Sequence, residues 1–181
     1  MTAYFRRQLA YYVEYHRDPR NCAAHVFGIV VLFLAAILPL TLWPISAPGG
    51  HLTLAGLMVL PVLIYWLALD VALGLAIAAM AVVLLSIATA IVGRVSASDV
   101  WIITAVLIAL GVASQILGHR IFEQRKPSMT DHPAHLLFGP MFVMAKLFIA
   151  LGFRHDLAAI IGPVAEPAKA SYPLRRADPY S

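Results

Sequence analysis

Between Cys22 and Leu42 the chain runs for about 20 residues without a single charge. No other segment constrains the fold as strongly. At 1.5 Å per residue such a helix spans ~30 Å, the thickness of a bilayer's hydrocarbon core. Three further apolar runs follow: Leu52 to Leu69, which contains Pro61, then Val71 to Val92, then Val100 to Leu117. Only Asp70 separates the second run from the third. Read as one helix they would reach roughly 40 residues, far more than a bilayer accommodates, so the sequence predicts a tight turn at Asp70. The composition agrees, with 61% hydrophobic and 12% charged residues, against about 45–50% and about 25% in soluble domains. The expected fold is an all-α, polytopic membrane helical bundle. It has about four transmembrane helices, plus N-terminal and C-terminal interfacial or re-entrant helices. Residues 1–161 are read as one membrane-embedded domain and residues 162–181, rich in proline, as a flexible tail.

The polar segments mark the element ends. Residues 3–16 alternate aromatic and charged positions, and Tyr4, Tyr11 and Tyr15 with Phe5 and Leu9 fit a short interfacial helix. The tyrosines at 4, 11, 12 and 15 read as an aromatic belt. Asp18-Pro19 ends that helix, because proline lacks an amide donor and disfavours helical geometry before it. Asn21 is the expected N-cap of the first span. Trp43 to His51 reads as a turn cluster, Pro61 as a kink, and Ser98 or Asp99 as the cap of the fourth span. Leu136 to Phe153 is apolar but interrupted by Gly139-Pro140 and Lys146. It is read as re-entrant or interfacial, since a full crossing would carry Arg154, Lys169, Arg175 and Arg176 outside. No cleavable secretory signal and no internal repeat are visible. The single Cys22 excludes an internal disulfide. The net charge of +4 forms no basic–aromatic stripe, so nucleic acid is not an expected partner.

Charge also orients the chain. Arg6, Arg7, Arg17 and Arg20 precede the first span, and Arg120, Arg125 and Lys126 follow the fourth. Four spans with a cytoplasmic N-terminus satisfy the preference of Lys and Arg for that side, and among these segments only Arg94 falls outside. This topology gathers six of the seven histidines on one face and leaves His51 ~30 Å away. His16 and His25 sit at the mouth of span one, and His119 at the end of span four, followed by Glu123, His132 and His135. Asn21 and His25 share a helix face, as do His119 and Glu123. His16 and His25, nine residues apart, would face opposite ways on an unbroken helix, and the Asp18-Pro19 break lets both aim at one point. One histidine at a helix end is ordinarily a cap. Several at the mouths of sequence-distant helices point instead to a metal site inside a bundle. Imidazole suits Zn, Fe, Cu and Ni, so the ion is open at this level, and the absence of thiolate ligands disfavours a closed structural zinc site.

The pattern Tyr12, His16, Asn21, His25, Gly28 resembles the N-terminal signature of the 2-hydroxy fatty acid dioxygenase family, small membrane proteins of fatty-acid α-oxidation. Gln115, Gly118, His119, Phe122 and Glu123, with Pro127 one position late, are similar to its second signature. The stretch from His132 to Phe148 resembles its C-terminal part. The likeness covers about residues 4 to 155. Ile29-Val30 stands where an Ile-Pro pair is common, and Ser128 where alanine is; both are packing positions. The resemblance implies an Fe(II)-dependent dioxygenase that uses O2 to shorten a 2-hydroxy fatty acid by one carbon, with release of CO2 and no nucleotide cofactor. It implies His16, His25, His119 and His135 as iron ligands, with His132 or Glu123 as alternatives for the fourth. Glu123 would orient an imidazole or take the α-hydroxyl proton, and Asn21 would support His25 or the substrate carboxylate. Arg120, Arg125 and Lys126 would draw that carboxylate in. Partners are then a lipid-like substrate, O2 and the membrane, in a bacterial inner membrane or endoplasmic reticulum. Two rivals are weaker. A membrane di-iron hydroxylase or desaturase needs several histidine boxes, and this chain has one HxxH, His132 to His135. The other is a non-catalytic membrane protein that binds haem through two histidines or serves as a scaffold.

Overall fold

The computed structural model describes residues 1–16, 18–47, 50–123 and 135–161. In chain order these form α1 (Ala3–Glu14), α2 (Pro19–Leu40), a hairpin of β1 (Pro44–Ala47) and β2 (Gly50–Thr53), α3 (Leu54–Leu69), α4 (Val71–Val92) and α5 (Ala97–Leu117). A π-helical turn over Gly118–Glu123 continues α5, and α6 (His135–Ala150) and α7 (His155–Ile161) complete the described fold. The tail from 162 lies outside the described residues.

Several expected boundaries shift, each for a local reason. The cap of α2 is Asp18, not Asn21: its carboxylate accepts from the Arg20 amide at 2.7 Å, with Pro19 in the first turn where its missing donor is harmless. Asn21 is instead fully buried in that turn. The cap of α5 is Ser96, not Ser98 or Asp99, and Asp99 closes the reciprocal capping box. The expected turn cluster at 43–51 is partly a two-stranded antiparallel hairpin, pairing Pro44 with Thr53 and Ile45 with Leu52. Asp70 alone forms the α3–α4 turn, as expected. Its extended backbone ends α3, and its side chain caps α4 by accepting from the Leu73 amide.

α2, α4 and α5 with its π turn are long and apolar enough to cross a membrane; the bent α6–α7 pair passes only when taken together. α3, expected as a span, is apolar but shorter than these, at 16 residues or about 24 Å. Residues such as Val82, Ile102 and Val106 point outward, as helices that are apolar all round require in lipid. Because lipid tails are as apolar as leucine, close packing rather than water exclusion holds such helices together. The α2–α5 seam shows it. A Cβ on Gly28 would stand 3.1 Å from the Gly111 carbonyl, and one on Gly111 would stand 2.5 Å from Leu32 Cγ. Across the same seam Ser114 Oγ donates to the Ala24 carbonyl at 2.7 Å and Gln115 Nε2 to that of His25 at 3.4 Å.

α1, α6 and α7 pack on one another at the end of the bundle where α2 begins and α5 finishes. Their core joins Phe5, Leu9, Phe138, Phe142 and Leu157 to Trp66 of α3 and Leu73 of α4. α6 runs through Gly139-Pro140 and Lys146 without the expected break, and Trp66 Nε1 donates to the Leu137 carbonyl beside that proline at 2.8 Å. After α6 the chain turns by 119°. Gly152 supplies the left-handed residue (φ +81°), with Phe153 N donating to the Phe148 carbonyl at 2.8 Å and Gly152 N to that of Ile149 at 3.0 Å. Arg154 then grips Asp70 with two hydrogen bonds, Nη1 to Oδ1 at 2.9 Å and Nη2 to Oδ2 at 3.0 Å. The α6–α7 pair therefore folds back to the α3–α4 turn instead of running on as one straight helix.

Candidate metal centre

His16 lies in the break after α1, His25 two turns into α2, and His119 at the second residue of the π turn; all three are buried. Their ring centroids are 4.4 Å (His16–His25), 4.6 Å (His25–His119) and 5.1 Å (His16–His119) apart. One ligand atom of each lies within 4.8 Å of the other two, the only such group among the described residues. The Asp18-Pro19 break does bring His16 and His25 together.

Two rings are set by the same local bond. His16 Nδ1 lies 2.8 Å from the Tyr12 carbonyl and His25 Nδ1 lies 3.1 Å from the Asn21 carbonyl, each four residues back. A carbonyl only accepts, so Nδ1 carries the proton in both and Nε2 keeps its lone pair. His16 Nε2 is buried with no hydrogen-bond partner among the described residues. Burial, then the adjacent His25 imidazole, push His16 down to about 3, outweighing its bond to the Tyr12 carbonyl. The ring is neutral at pH 7 and free to ligate.

His119 is placed by Gly118. A side chain there would strike the Asn21 amide oxygen, and a Cβ would stand 3.3 Å from Ala24 Cβ, so only glycine lets the π turn lie this close to α2. Asn21 holds the site together from its own buried position: its amide donates to the Tyr15 carbonyl across the break at 3.4 Å. Its support of His25 runs through the main chain.

His135, at the start of α6, is buried against Tyr12 (ring centroids 5.6 Å) and Tyr15 (6.3 Å), outside the close trio. Arg120 is exposed. The Glu123 side chain, Arg125, Lys126 and His132 lie outside the described residues. Two neighbours were not read as site residues, although Tyr12 opens the N-terminal signature. Tyr12 does not belong to an exposed belt with Tyr4 and Tyr11: it is 4% exposed and stacks on His16 at 4.1 Å and 7°. Burial, then Cys22, push its phenol well above the usual range, so it stays protonated. Lys146 stands half-buried with Nζ 3.1 Å from Cys22 Sγ, whose thiol donates to the His16 carbonyl at 3.3 Å. A cation inside an apolar run is the signal that would have marked it.

The donor set fits a metal ion: three buried imidazoles from three chain segments, two with Nε2 lone pairs fixed by hydrogen bonding. It does not fit a haem clasped between two of the trio, since rings 4.4–5.1 Å apart leave no slot for a planar macrocycle. The family model described as "2-hydroxy-palmitic acid dioxygenase Mpo1-like" matches residues 2–151. This chain belongs to the Mpo1-like family. It is also 29% identical over 160 residues, 86% of each chain, to the 2-hydroxy-palmitic acid dioxygenase MPO1 of Saccharomyces cerevisiae. No solved structure matches significantly. The Mpo1-like assignment covers every described residue of the trio and His135, and agrees with the resemblance carried by the two sequence signatures.

Proposed function

We propose that this Mpo1-like chain is an Fe(II)-dependent dioxygenase that shortens 2-hydroxy fatty acids by one carbon. The buried His16–His25–His119 trio carries the reading, together with the family's dioxygenase name. The overall reaction balances without a co-reductant: RCH(OH)COOH and O2 give RCOOH, CO2 and H2O, with all four electrons supplied by the substrate. Zinc has no redox chemistry, so among imidazole-loving metals iron suits this reaction. His16, His25 and His119 would hold it, with His135 beside them as the candidate fourth ligand. When bound, the metal supplies O2 activation and a Lewis-acid contact for the α-hydroxy-carboxylate.

The protein's own residues bind and orient. Tyr12, stacked on His16, and the Asn21 carbonyl, bonded to His25, fix the imidazole planes. Glu123, four residues after His119, is assigned the α-hydroxyl proton or the support of an imidazole. Lys146 joins Arg120, Arg125 and Lys126 as a cation for the substrate carboxylate. The N-terminus and the site are assigned to the cytoplasmic side from the arginines flanking spans one and four. Reporter fusions at residue 1 and in the 93–96 loop test that sidedness.

The central test is anaerobic iron loading followed by 2-hydroxypalmitate and O2, read by mass spectrometry. The expected product is the fifteen-carbon acid with one CO2 per turnover. Bound iron with no shortened acid would overturn the reaction and leave the metal site standing.

A further inference from the structure

One turn below His25 begins a cavity of ≈ 220 Å³ enclosed by α2, α3, α4 and the Pro140–Met144 stretch of α6. Its α2 wall is Ile29, Phe33, Ala36 and Leu40, flanked on one side by Val30 and Ile37. The first four, with His25, occupy positions i, i+4, i+8, i+11 and i+15, so the face lining the cavity has the metal ligand at its edge, one turn nearer the helix start. Between cluster and cavity lies a tightly packed junction, which we term the throat, where only glycine leaves room between α6, Ile29 and Tyr12. At Gly139 the missing Cβ would stand 2.8 Å from Ile29 Cδ1 and 3.4 Å from Tyr12 Oη, and that same Tyr12 stacks on His16. The other walls are apolar too, with Val62, Trp66, Ile77 and Leu84 among them. Met58 and Met80 line the cavity and are also exposed, so it opens sideways between helices.

We propose that this slot receives the acyl chain of the substrate, entering from the bilayer, and that Ala36 and Ala81 set the chain length it accepts. The assignment rests on the 2-hydroxy fatty acid reading above and specifies how that site selects its substrate. Size supports it. An apolar cavity of about 150 Å³ already stays dry and takes up benzene, and this one is larger and open along one side. From Ile29 to Leu40 the wall runs about 16 Å at 1.5 Å per residue. That is about half of the ~30 Å hydrocarbon core, the depth filled by one acyl chain. Lipid tails are as apolar as the slot, so entering it gains little affinity. What it gives is register: a chain seated against the far end holds its α-carbon at the throat. Selection by length is then steric, and the two alanines are where the wall is thinnest.

The test pairs turnover with labelling. Iron-loaded protein in nanodiscs is given 2-hydroxy acids of sixteen and ten carbons, separately. Ala36→Phe and Ala81→Phe should each lower the sixteen-to-ten turnover ratio at least tenfold. Val82→Phe, on the neighbouring outward face at 64% exposure, should leave the ratio unchanged. A ratio unmoved by both alanine substitutions overturns the slot. Independently of turnover, a sixteen-carbon 2-hydroxy acid with a diazirine at its methyl end should label peptides around Val59 and Leu84. Labels confined to lipid or to the outward face of α5 overturn the proposal. Labelled slot peptides without any shortened acid would uphold the slot and remove the dioxygenase reading. Turnover with an unmoved ratio and labels elsewhere would do the reverse.

Discussion

His16 and His25 owe their orientation to an arrangement any helix end provides: a ring N–H returned to the carbonyl four residues back. Replacing His16, His25 or His119 with alanine is expected to remove at least nine-tenths of the bound iron, measured by elemental analysis. His135→Ala should lose less than any of the trio, since it lies outside their 4.8 Å grouping. Acid should act through His16. Its folded value of about 3 lies below its ordinary 6.5, so the unfolded chain takes up the proton first. The metal-free protein should therefore lose stability as pH falls from about 6.5 towards 3, seen as a falling Tm. His16→Asn should flatten that slope. The histidines were legible because residue type and position at a span's mouth are visible in one dimension. Tyr12 was set apart only by the signature it opens: by position it is one of four tyrosines in twelve residues, and it is the fold that separates the one stacked on His16 from the exposed Tyr4 and Tyr11. Asn21 looked like a cap because it follows the proline, yet the cap had already been supplied by Asp18.

At the scale of elements, uncharged runs and their interruptions predicted the helices well, and Asp70 was enough to find a one-residue turn. What they could not give was how closely the partners pack. In the α3–α4 hairpin a Cβ on Gly74 would stand 2.7 Å from Leu67 Cα and 2.8 Å from its backbone nitrogen. Backbone cannot yield as a side-chain tip can. Gly74→Ala should destabilise by about 1–3 kcal/mol, with faster hydrogen exchange in α3 than in α5. The hairpin at 44–53 was hidden for a different reason. Its proline and glycines read as turn residues, and four-residue strands leave too little alternation to detect. The π turn was equally silent, since nothing in Gly118–Glu123 distinguishes a wider helical turn from an α-helical one.

For the whole molecule, the sequence made the bundle and the gathering of histidines legible, whereas the layer of α1, α6 and α7 across the bundle's end depends on contacts far apart in the chain. Arg154 is the clearest of these. Burial pushes the Asp70 carboxyl up, but the Arg154 guanidinium and the Leu73 amide outweigh it and hold the group below its usual range. Arg154→Ala should cost about 1–3 kcal/mol. That is less than a fully buried pair, because 20% of the arginine stays open to solvent. Hydrogen exchange should rise first in α7, and the metal content should change little.

The same ion pair also has a history in time. Asp70 and Arg154 are 84 residues apart, so at 5–20 residues per second a ribosome reaches the arginine roughly 4–17 s after the aspartate. Throughout that interval the Arg154 guanidinium has yet to join the chain, and of the two cations that meet Asp70 in the finished fold only the Met1 ammonium has been made. The last described helices thus complete a joint whose other half was made long before them.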